Sequence, residues 1–155
     1  MKVTLKNNEL VPCIEFLQKM NLPANSSRPI VKFVKLLNDA LTEVQKSQMA
    51  LIEQYGVRDE DGQLALTEDK QDYLISAEYR QNYNEEMQVF LLEEVVITGG
   101  MFVNVVSKLP TILEKYDEKI SNQDAVIYDR LMDEFEKNEE GVTYASSDEK
   151  ARVND

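Results

Sequence analysis

Between Arg28 and Tyr55, the residues Ile30, Val34, Leu37, Leu41, Val44, Gln48, Leu51 and Tyr55 follow one another at alternating steps of four and three. That spacing keeps one stripe of an α-helix facing a single partner. Lys32, Asp39, Thr42, Glu43, Lys46 and Glu53 lie around the stripe, so the helix is amphipathic and requires a second layer to pack against. Pro29 suits its first turn, Ser26 or Ser27 its cap, and Gly56 the position just past its end. Any fold for this chain has to be built around that helix.

Before it, Val3 and Leu5 alternate with Lys2, Thr4 and Lys6, which predicts a short strand. Leu10, Cys13, Ile14, Leu17 and Met20 then share one helical face, with Pro12 in the first turn where a missing N–H costs least. After Gly56, Asp61-Gly62 is a turn dipeptide, and residues 63–66 and 73–75 are apolar enough to pair as a hairpin across 67–72. Ser76 is placed to cap a helix over 77–93, whose apolar face is Tyr79, Tyr83, Met87, Phe90 and Leu91; this helix should pack antiparallel to the first. Residues 95–98 read as a strand ended by Gly99-Gly100. Helical segments follow around Pro110, and Ser121 caps a last helix with Ala125, Tyr128, Leu131, Met132 and Phe135 facing inward. Together these predict a mostly helical α+β domain over residues 1–137, with a long antiparallel helical hairpin. A small sheet is expected from residues 2–6, the 63–75 hairpin and residues 95–98. Residues 138–155 lose the periodicity and are expected to form a mobile acidic tail.

Charge is unevenly placed. Residues 1–35 carry a net +4, residues 36–95 a net −10 and the remainder −6, for −12 in all. An acidic centre repels nucleic acid and anionic membranes and attracts a basic protein surface. The acids that concentrate this field are Asp59, Glu60, Asp61, Glu68, Asp69 and Asp72 on the hairpin, continued by Glu78, Glu85 and Glu86 on the next helix. They are the candidate partner-binding residues. No run is long and apolar enough for a membrane span or a signal peptide, and the single Cys13, set among Leu10, Ile14 and Leu17, reads as a small buried hydrophobe.

The chain has no histidine. The usual general base, metal ligand and nucleophile partner are missing together, which argues against an enzyme. Two carboxylate patterns are nevertheless considered. With Gly62 as the sixth position of a calcium loop, Asp59, Asp61 and Glu68 fall at positions three, five and twelve, but Val57 stands where the first carboxylate belongs. Asp129 with Asp133, and Glu114 with Glu118, are spaced one helical turn apart and could hold magnesium. The adjacent glutamates that helical nucleoside-triphosphate pyrophosphatases present, followed three residues later by another, are absent. No cofactor is expected; the acidic turn and solvated helix faces account for these acids.

The segments MKVTLKNNELVPCIEFLQKM, FVKLLNDALTEVQ and LIEQYGVRDEDGQ resemble a family of small uncharacterised proteins from phages and prophages of Gram-positive bacteria. The resemblance implies a phage protein acting in the bacterial cytoplasm and carries over no functional residue. The expected function is non-enzymatic binding of another protein with a basic surface, in one version by occupying the nucleic-acid groove of a host enzyme or defence nuclease as a phosphate mimic. The alternatives are a virion or assembly factor, a carboxylate–magnesium enzyme acting on nucleotides, and a calcium-stabilised module.

Overall fold

The computed structural model describes the backbone of residues 1–152 and the side chains of residues 1–139. In chain order the elements are β1 (Lys2–Lys6), α1 (Leu10–Lys19), α2 (Ala24–Tyr55), α3 (Arg80–Leu92), β2 (Glu94–Thr98), α4 (Val103–Val106), α5 (Leu109–Glu114) and α6 (Asn122–Arg152). The mostly helical α+β architecture and the antiparallel helical hairpin match the sequence reading. The mobile tail expected over residues 138–155 lies outside the described side chains from residue 140 onward.

The core gathers at one end of α2. Val3 and Leu5 of β1, Ile97 of β2, Leu10, Cys13, Phe16 and Leu17 of α1, and Ile30, Phe33 and Leu37 of α2 are buried together. Val106, Leu109 and Leu113 from α4 and α5, with Leu131 and Phe135 from α6, close the cluster. At 32 residues, α2 is about 48 Å long and extends well past this core. Only its first half contributes buried residues to this cluster, although Tyr55 at its far end is also buried. Farther along, Leu41 and Val44 lean half-buried against that core, and Gln48 and Leu51 are half-buried beside α3, which carries the buried Met87 and the half-buried Phe90 and Leu91.

β1 and β2 form a two-stranded antiparallel sheet in which Val3 pairs with Ile97 and Leu5 with Val95. The other edge of β1 is sealed by side chains of α6. Asn138 accepts from the Lys2 N–H at 3.0 Å and donates back to the Lys2 carbonyl, imitating a strand. Glu134 accepts from the Thr4 N–H at 3.0 Å while Arg130 donates to the Thr4 carbonyl at 2.8 Å. Unpaired strand edges invite association with other chains, and this one is occupied.

Five details depart from the sequence reading. First, α2 begins at Ala24, a turn earlier than expected: the Pro23 carbonyl accepts from both Ser26 and Ser27, which places Pro29 inside the helix. Second, Gly56 follows α2 as expected but has extended backbone (φ −73°) instead of the left-handed form. Glycine is required there by space, because a Cβ would lie 2.6 Å from the Ile52 carbonyl oxygen and 2.7 Å from the Leu64 side chain. Third, residues 63–66 and 73–75 pair through Leu66 and Tyr73 but do not join the β1–β2 sheet, since they sit at the far end of α2. Fourth, Ser76 provides no side-chain cap, and its helix opens as a 3-10 turn over Ala77–Tyr79. Ser121 does cap α6, accepting from the Asp124 N–H at 3.1 Å. Fifth, Ala125, expected inside, is exposed.

Candidate functional site

The distal end of α2 is where the acidic residues converge. Three short segments there bond in a closed ring. The Val57 N–H donates to the Leu74 carbonyl at 2.9 Å, the Leu74 N–H to Ala65 at 2.8 Å, and the Ala65 N–H to Val57 at 2.8 Å. Each segment therefore pairs with both others, and the bridges Gly56–Ile75, Arg58–Leu64 and Leu66–Tyr73 mark three corners. Tyr55 anchors the unit to α3: its ring packs against Tyr79 and Tyr83 at 6.0 and 6.2 Å, and its hydroxyl donates to Glu86 at 2.9 Å. That bond to a carboxylate, with burial second, raises the Tyr55 pKa.

Two of the ring's corners carry the acidic turns, whose carboxylates divide by role. At the first, Asp59 Oδ1 accepts from the N–H groups of Asp61 and Gln63, both at 2.9 Å, and Gly62 takes the left-handed φ of +77° that lets the turn close. At the second, Asp69 Oδ1 accepts from the Thr67 hydroxyl and from the Gln71 N–H at 3.1 Å, and these donors lower its pKa. Asp59 and Asp69 thus shape the turns. Glu85 accepts from Gln81 at 3.1 Å. By contrast, the carboxylates of Glu60, Asp61, Glu68, Asp72 and Glu78 accept no hydrogen bond and pair with no cation, leaving their charge to face solvent.

This division bears on the calcium pattern. Asp59 is held by backbone amides and the loop is pinched by the Arg58–Leu64 bridge, so Asp59 and Asp61 share the first turn while Glu68 sits on the second. Among the described residues no three Asp, Glu, Cys or His side chains converge as ligands. Asp129 and Asp133 lie on the exposed side of α6, and Glu118 falls beyond the end of α5, so the helical spacing from Glu114 is not realised.

Apolar side chains stand among the acids, a feature the sequence reading missed. Leu66 is 47% exposed and pairs with the exposed Tyr73, and Leu74 and Tyr79 are exposed as well. With Met49, Leu66 and Tyr73 help line a shallow depression of about 560 Å³. A second concavity of about 410 Å³ lies between α2 and α3, where Leu51, Val89 and Phe90 meet Glu85, Glu86 and Glu93. Val89 gave a signal in the sequence: it falls off the Tyr83–Met87–Phe90 stripe, on the side of α3 that carries the glutamates. At the other end of α2, a cavity of about 680 Å³ sets Lys108 and Lys115 near Asp117 and Glu118; none of the candidate partner-binding residues lines it.

No helix among the described residues is long and apolar enough to cross a membrane. Neither the curated proteins nor the solved structures contain a match to the chain. One family profile, described as a protein of unknown function (DUF1617), matches residues 1–142.

Proposed function

The chain belongs to the DUF1617 family of proteins of unknown function, and on that footing we propose that it is a non-enzymatic binding protein whose acidic distal end docks onto a basic protein surface. One observation carries the reading. The exposed Leu66–Tyr73 pair of the three-segment unit flanks the turn that carries the uncommitted Glu68 and Asp72, and apolar and aromatic side chains beside charged ones are the anatomy of a protein interface. The resemblance of the opening segments to phage and prophage proteins supports a phage origin and a site of action in the bacterial cytoplasm. The partner is then a host enzyme or defence nuclease whose basic nucleic-acid groove the acids occupy.

The test uses a variant with Glu60→Gln, Asp61→Asn, Glu68→Gln and Asp72→Asn, which leaves the turn-forming Asp59 and Asp69 intact. Parent and variant are compared as baits in lysate of phage-infected cells, with recovered proteins identified by mass spectrometry. A partner recovered by the parent should be lost from the variant and released by salt, because exposed charges act over a Debye length of only about 8 Å at physiological ionic strength. Recovery of the same partner by the variant with unchanged salt dependence overturns the reading. Competition between that partner's nucleic acid and the parent protein separates phosphate mimicry from the alternative of an assembly factor.

A further inference from the structure

We propose that the groove between α2 and α3 receives an amphipathic helix from the partner, one with an apolar stripe flanked by lysine or arginine. The inference rests on the protein-binding reading and specifies what the partner presents.

The first half of α2 is packed between α1, the sheet and α4–α5, Leu41 and Val44 lean half-buried against that core, and farther along Leu51 is left half-exposed beside α3. α3 itself leaves Val89 65% and Leu92 54% exposed. Leu51, Val89 and Phe90 line the 410 Å³ groove, a size that accepts a few side chains of an inserted helix. Glu85, Glu86 and Glu93 stand along it. Apolar anchors enter such grooves at helical spacing, and the glutamates select basic residues beside those anchors. A second copy of this chain fits poorly, since each protomer carries a net charge of −12 and would bring the same glutamates to the contact.

The probe is a synthetic helical peptide of about five turns, with leucines along one stripe and lysines on both flanks. One control scrambles the same composition, keeping the charge and destroying the stripe; a second replaces the lysines with glutamate. Binding is read by fluorescence anisotropy and its location by methyl and amide NMR shifts. The amphipathic peptide should bind about tenfold or more tightly than the scrambled one and shift Leu51 and Val89. Val89→Asp should weaken it about tenfold while leaving the melting temperature unchanged, because Val89 is mostly exposed. That variant adds negative charge, so attraction by charge alone predicts equal or tighter binding. Glu85→Gln with Glu93→Gln should flatten the salt dependence.

Equal binding of the two lysine peptides, with shifts confined to the 57–75 unit, sinks the groove and leaves the acidic-surface reading standing. Failure of both lysine peptides to bind at low salt sinks both readings. Tight binding of the glutamate peptide, or a dimer in sedimentation that Val89→Asp dissolves, also overturns the proposal.

Discussion

Glu134 is the residue whose charge most directly serves the fold. It is 4% exposed, and burial by itself would raise its pKa. Bonds from Arg130, the Thr4 N–H and Lys137 outweigh that penalty and hold it at about 2, against an ordinary 4.5. A folded-state pKa below the unfolded one stabilises fully above the unfolded value and is lost as pH falls through the folded one. A difference of this size corresponds to roughly 3 kcal/mol. Glu134→Gln should therefore lower the melting temperature near neutral pH, and the gap from the parent should shrink as pH falls from about 4.5 to about 2. A gap that stays constant over that range would show that the charge is not what matters. Cys13 presents the opposite case. Burial first, and the nearby Glu9 second, push its thiol up to about 12. The folded protein should not react with a maleimide at neutral pH, whereas the denatured chain should react at once.

At the scale of the element, α2 is one helix with two environments. Leu37 is fully buried and Leu41 only partly so, although both lie on the same stripe. Leu37→Ala should cost about 3 to 5 kcal/mol and Leu41→Ala about half as much, because the removed methylenes leave a closed cavity in one case and a partly solvated one in the other. Chemical denaturation of both variants checks the ordering. Gly56→Ala should destabilise by roughly 1 to 3 kcal/mol despite its unexceptional φ, since the added methyl meets a backbone oxygen that cannot move without bending the end of α2. An unchanged unfolding midpoint would mean that Leu64 and the 57–75 unit shift freely to admit it.

The molecule as a whole is graded from a packed end to a thin one. The buried cluster unites α1, the sheet, α4–α6 and the start of α2, while α3 and the 57–75 unit rest mainly on the remaining half of α2. Regions with fewer buried apolar contacts open at lower free energy. Amide hydrogen exchange should therefore find Val44–Tyr55, the 57–75 unit and α3 exchanging through local openings, with Phe33, Leu37 and β1 protected up to global unfolding. Uniform protection along α2 would contradict the grading. If the groove is filled by the lysine peptide, protection in α3 should rise selectively.

Periodicity in the sequence determined the helices, because a stripe at steps of three and four has only one way to bury itself. Alternation determined β1, the short apolar run 95–98 determined β2, Asp61-Gly62 the first turn of the distal unit, and charge the acidic end. Tertiary structure decided which parts of those stripes are core. Leu37 and Leu51 look alike in sequence, and only the placement of α1, the sheet and α4–α5 at one end of α2 makes the first buried and the second part of the groove lining. It decided as well that Asp59 and Asp69 bind their own turns while Glu60, Asp61, Glu68 and Asp72 stay free, a difference set by which amides lie within reach. The edge seal of Arg130, Glu134 and Asn138 on β1 joins residues some 130 positions apart. No local pattern encodes such a contact, because it exists only once the core has brought α6 beside the strand.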